Sequence, residues 1–140
     1  MKARVAVLAD CANVTADGKL NIMGVFNVIK AQRVPVVHSQ MQLVLSLVPD
    51  PWEMNTTVPL EIQLVDADGR VLLDFKGQVA FGAAAAGEQS TANYILSLNN
   101  TLFERFGAYE FKVLVGEEPF ATIPLLMQEV STPTPPAPST

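Results

Sequence analysis

Strict alternation of apolar and polar residues, repeated along the chain, constrains this sequence more than any other feature. In QMQLVLSLV, residues 40–48, Met41, Leu43, Leu45 and Leu47 fall on one face and Gln40, Gln42 and Ser46 on the other. That period of two is the mark of a strand with one buried face. LEIQLVDA sets Leu60, Ile62 and Leu64 against Glu61 and Gln63, and AYEFKVLV sets Tyr109, Phe111, Val113 and Val115 against Glu110 and Lys112. RVLLDFKGQVAF places Val71, Leu73, Phe75, Val79 and Phe81 inward and Asp74, Lys76 and Gln78 outward. No stretch offers a helical stripe.

Less regular runs at 3–9, 19–31, 91–98 and 120–128 bring the total to about eight strands. Turn signals separate them at the spacing of an all-β sandwich or barrel. The expected fold is a single antiparallel β-sandwich of immunoglobulin-like or jelly-roll character over residues 1–130. LNIMGVFNVI is apolar on both faces, which predicts a central strand or one crossing between layers. Gly24 and Gly77 within such runs predict bulges or close approaches of neighbouring chain. Pro124 cannot donate to a ladder, so the last strand is expected at an edge or paired on one side only. FGAAAAGEQS, 81–90, reads as a loop, and STPTPPAPST, 131–140, reads as an extended Pro-rich tail.

Composition excludes several classes. Nine Lys and Arg against 14 Asp and Glu give a net charge of -5 without a basic run, so a phosphate backbone has no electrostatic footprint here. Nucleic acid is not an expected partner. The apolar run after Met1 meets Asp10 before a secretion signal is complete, and no stretch approaches the roughly 18 apolar residues of a membrane span. The expectation is a cytoplasmic protein without membrane insertion. A lone Cys11 fits a reducing compartment, so the Asn-x-Thr sequons at Asn13, Asn55 and Asn99 read as chance.

Two segments, NVTADGKLNI and LVDADGRVLL, share Ala-Asp-Gly followed by a basic residue between alternating runs. Asp-Gly in that setting signals a tight hairpin, because Gly accepts the positive φ the turn requires. The rival reading is an oxygen-rich calcium site built from Asp10, Asp17, Asp66 and Asp68, although the later acidic ligands of an EF-hand loop are missing. Cys11 would need a His to form a thiolate, and the chain carries only His38. Cys11 is expected to be a buried or half-buried structural thiol, and His38 a surface residue. No phosphate loop, nucleophile elbow or zinc spacing occurs, so neither catalysis nor a cofactor is expected. Trp52, in VPDPWEMNTT, is expected to cap the core; left exposed, it would anchor a partner. Phe103 and Phe106 are expected to cover one end of the core, with Gly107 turning the chain and Tyr109 bonding back to nearby backbone.

With these residues in view, the chain resembles a family of short bacterial proteins of unknown function. Members open on Ala-Asp-x-Ala-Asn-Val, continue through Asp-Gly-Lys-Leu-Asn-Ile-x-Gly-x-Phe and close on a Gly-x-Tyr-x-Phe strand. Here those elements are ADCANVTADGKLNIMGVF at 9–26 and GAYEFKVLV at 107–115. The resemblance implies a small β-sandwich over roughly 3–128 and supplies no activity, substrate or cofactor. Cys11 stands at a variable position of the pattern, and the Pro-rich tail lies beyond it.

The expected function is therefore a non-enzymatic protein-binding or assembly module, contacting another protein or another copy of itself. Trp52, the strand around Pro124 and the tail prolines Pro133, Pro135 and Pro136 are the expected contacts. The alternative is a small-ligand or calcium-binding sandwich, which requires the two Asp-Gly turns to lie at one end and close together.

Overall fold

The computed structural model describes residues 1–83 and 90–131. The Pro-rich tail, with Pro133, Pro135 and Pro136, and most of the loop expected at 81–90 lie outside the described residues. Nine strands follow one another: β1 (Lys2–Val14), β2 (Leu20–Phe26), β3 (Val28–Ala31), β4 (Val36–Val48), β5 (Thr57–Val65), β6 (Val71–Ala80), β7 (Ala92–Phe103), β8 (Gly107–Val115) and β9 (Glu118–Glu129). A 3-10 turn, Pro51–Glu53, links β4 to β5.

The alternating faces dictate two layers. One sheet runs β2-β1-β4-β7 and the other β3-β9-β8-β5-β6. Met41, Leu43, Leu45 and Leu47 of the first sheet are fully buried, and they pack in one cluster with Leu60, Ile62, Leu64, Phe111 and Val113 of the second. β1 lies against β9, and β7 against β6. Burial of these side chains is the main driving force for the fold.

The run at 19–31 is the departure from eight strands. It breaks at Asn27, so that β2 pairs with β1 in one sheet while β3 pairs parallel to β9 in the other. Its two apolar faces therefore serve two sheets in succession, and its crossing closes one flank of the sandwich. All other ladders are antiparallel. β9 has a strand on each side only from Leu126 onward; Pro124 faces Glu110 of β8 and has no ladder partner on its other side. Ser46, expected on a wet face, is buried with Val44, since β4 is flanked on that face by Val5 and Val7 of β1 and by Asn93 and Ile95 of β7.

The Asp-Gly segments are hairpin turns of one design. Gly18 donates to the Thr15 carbonyl at 3.0 Å and Gly69 to the Asp66 carbonyl at 3.1 Å, with φ of +88° and +82° at the two glycines. Each is a type I turn closed by a left-handed Gly. The first residue locks the turn with its side chain: Thr15 Oγ1 accepts from the Lys19 amide at 2.9 Å, and Asp66 Oδ1 accepts from the amides of Asp68 and Arg70 at 3.0 and 2.9 Å.

Candidate functional site

On the flank opposite the β2–β3 crossing no described strand joins the two sheets. There β7 ends one sheet and β6 ends the other, and the two edges are not hydrogen-bonded to each other. They meet where Tyr94 crosses Gly77; a Cβ at Gly77 would lie 2.9 Å from the Tyr94 hydroxyl, so only glycine gives that approach room. Beyond it the edges diverge around a cleft of about 720 Å3. Leu72, Leu73 and Phe75 of β6 form one wall, Leu98 to Leu102 of β7 the other, and Tyr109 closes the floor. Arg70 and Glu104 face each other across its mouth at 3.8 Å, and Arg105 Nη1 donates to Asp68 Oδ2 at 3.2 Å. These exposed pairs contribute little to stability and leave the mouth polar.

The local sequence shapes this flank. β7, Ala-Asn-Tyr-Ile-Leu-Ser-Leu-Asn-Asn-Thr-Leu-Phe, carries neither charge nor proline. Asn100 takes a left-handed φ of +55°, and on either side of it Leu98 and Thr101 are buried while Asn99 and Leu102 are exposed. Tyr109 is held by its own corner, donating to the Arg105 carbonyl at 2.8 Å and meeting Phe103 edge-on with ring centres 5.1 Å apart. Val71, expected inward, is 48% exposed. A register shift at Leu64 and Val65 of the paired β5 displaces the start of β6, so Leu72 joins Leu73 at the cleft. Sequence reasoning missed the cleft because it lies between two strands whose adjacency alternation does not encode. The signal within reach was the uncharged length of β7.

The residues singled out from sequence are scattered. Asp10 stands in β1 with its carboxylate over Gly24, whose φ is +71° and where a Cβ would clash with Asp10 Oδ2. Asp17 is on the β1–β2 turn, where the Thr15 hydroxyl donates to its carboxylate and holds its pKa below the ordinary value. Asp66 and Asp68 are on the β5–β6 turn, ion-paired with Arg70 and Arg105. Both turns lie at one end of the sandwich but on opposite flanks, in different sheets. Among the described residues no group of three or more His, Cys, Asp or Glu could hold a metal ion.

Three expectations are corrected here. Trp52 does not cap the core: it is 77% exposed on the 3-10 turn. Met1 packs against the core instead, and its ammonium is held by the carboxylates of Asp50 and Glu53 on either side of Trp52. Cys11 is exposed rather than buried, because it lies on the outer face of β1 directly opposite Met23. His38 is half-buried against Phe26, with ring centres 6.0 Å apart, and its Nε2 has no hydrogen-bond partner among the described residues.

Fold and cleft together define a small two-layer β-sandwich with a cleft along one flank and, among the described residues, no α-helix and therefore none long and apolar enough to cross a membrane. The chain belongs to a family of unknown function, DUF6941, which it matches over residues 4–128. Among curated proteins none is similar enough to match. Among solved structures, the chain is similar in fold to Pseudomonas fluorescens alkylpurine DNA glycosylase AlkC bound to DNA containing an abasic site analog, at 12% identity and a TM-score of 0.50. The match covers 91% of this chain and 30% of that one, so the chain spans less than a third of the glycosylase's length.

Proposed function

We propose that this domain is a non-enzymatic protein-binding and assembly module whose cleft between β6 and β7 receives an extended segment of polypeptide. The observation that carries the reading is the edge of β7, 12 residues without charge or proline and with no described strand on its outer side, running beside a cleft walled by Leu72, Leu73, Phe75, Leu98 and Leu102 under a polar mouth. A strand edge offers unpaired amides and carbonyls that an added strand satisfies, and pockets beside it read alternate side chains. The net charge of -5 favours a protein over a nucleic acid as partner. Trp52, displayed on a turn fixed by Met1, Asp50 and Glu53, is a second anchor of the kind that dominates interfaces. Pro124 and the tail prolines supply further contacts, and the lone exposed Cys11 suits a reducing cytoplasm.

The test is capture from native extract with the full chain, using wild type, Leu102→Asp in the cleft and Met23→Asp on the far flank. A stoichiometric partner kept by wild type and Met23→Asp and lost by Leu102→Asp is the expected result. Equal retention by all three would remove the cleft from the account.

A further inference from the structure

Arg70 and Arg105 are the cations that line the cleft, and neither is fully engaged. Arg70 meets Asp66 at 3.5 Å through Nε and Glu104 at 3.8 Å through Nη2, while Arg105 meets Asp68 at 3.2 Å through Nη1 alone. None of these contacts is the parallel two-bond geometry by which a guanidinium holds a carboxylate. The carboxylates around them are not equivalent. Asp66 is spent on its own turn, its side chain 12% exposed and its Oδ1 accepting the amides of Asp68 and Arg70. Asp68 stands outside the cleft lining, which leaves Glu104 as the lining carboxylate that no turn occupies. In a chain of net charge -5, the mouth therefore sets two guanidiniums against one available carboxylate. Below it the walls of Leu72, Leu73, Phe75, Leu98 and Leu102 bring no charge, and beyond them the two edges close where Tyr94 crosses Gly77.

From this arrangement we infer that the segment received by the cleft is acidic at one end: apolar side chains lie between the β6 and β7 walls, and an Asp or Glu at the mouth is held by Arg70 and Arg105, displacing Glu104 from Arg70. The inference rests on the proposed binding function and names the chemistry of its partner. The sign follows from the inventory of the mouth. A carboxylate gains two guanidiniums with donors to spare, whereas an ammonium meets both of them and finds Glu104 alone. The order follows from the shape, since the apolar walls end blind at Tyr94 and the charged groups stand at the opposite, open end.

Isothermal titration of the full chain tests this, using acetylated, C-terminally amidated peptides of alternating Leu and Thr that end in Asp, Asn or Lys, against wild type, Arg70→Gln, Arg105→Gln and Glu104→Gln. The three substituted positions are exposed, so their melting temperatures should match wild type. The Asp peptide is expected to bind about tenfold more tightly than the Asn peptide, with the Lys peptide weakest. Arg70→Gln and Arg105→Gln should each erase most of that preference without weakening the Asn peptide, and Glu104→Gln should strengthen the Asp peptide. Equal binding of the Asp and Asn peptides, or tightest binding of the Lys peptide, overturns the inference; if Leu102→Asp abolishes that binding, the binding function stands without the acidic preference. Absence of any peptide binding at millimolar concentration also overturns it, and both fail if Leu102→Asp then captures the same partner from extract as wild type.

Discussion

Gly24 and Tyr109 show how single residues hold this fold. Gly24 combines a φ of +71° with an Asp10 carboxylate where a Cβ would stand. Gly24→Ala is expected to cost more than the left-handed penalty of an L-residue, about 1–2 kcal/mol, because the Asp10 carboxylate must also move. Adding Asp10→Ala should relieve the clash and leave that penalty, as urea midpoints of the single and double variants will show. Tyr109→Phe removes the bond to the Arg105 carbonyl and is expected to cost about 1 kcal/mol in the same assay. Both residues were legible, Gly24 as a close approach and Tyr109 as a corner, because each constraint is local. Trp52 and Cys11 were not, since their exposure depends on what else fills the neighbouring space: Met1 under the 3-10 turn, and a sheet whose outer face lies open at Met23.

At the scale of elements, alternation placed the buried faces of β4, β5 and β8 and the two Asp-Gly hairpins, since a period of two and a turn chemistry act over a few residues. It did not place the break at Asn27 that sends β2 and β3 to different sheets, because either neighbour suits a strand apolar on both faces. The 3-10 turn adds a prediction of its own. The Asp50 and Glu53 carboxylates accept hydrogen bonds from the Met1 ammonium and raise its pKa above the ordinary 8.0. A raised folded-state value gives stability that is fully present below the unfolded pKa and fades as pH rises through the folded one. Wild type is therefore expected to lose urea resistance above about pH 8, while Asp50→Asn with Glu53→Gln flattens that slope. An unchanged slope would mean the clamp contributes nothing to folding.

For the whole molecule, the two flanks differ in kind. On one the described chain passes directly from β2 to β3, and on the other β6 and β7 end their sheets beside a cleft, with no described strand paired to the outer edge of β7. That difference is the centre of the functional account, and amide hydrogen exchange along β7 tests it most directly. In dilute solution the outward-facing amides of Tyr94–Asn99 should exchange far faster than those facing β4, and in the assembled state both sets should be slow. Uniform protection of β7 in the dilute chain, or no change on assembly, would contradict the claim that this edge is where the domain binds.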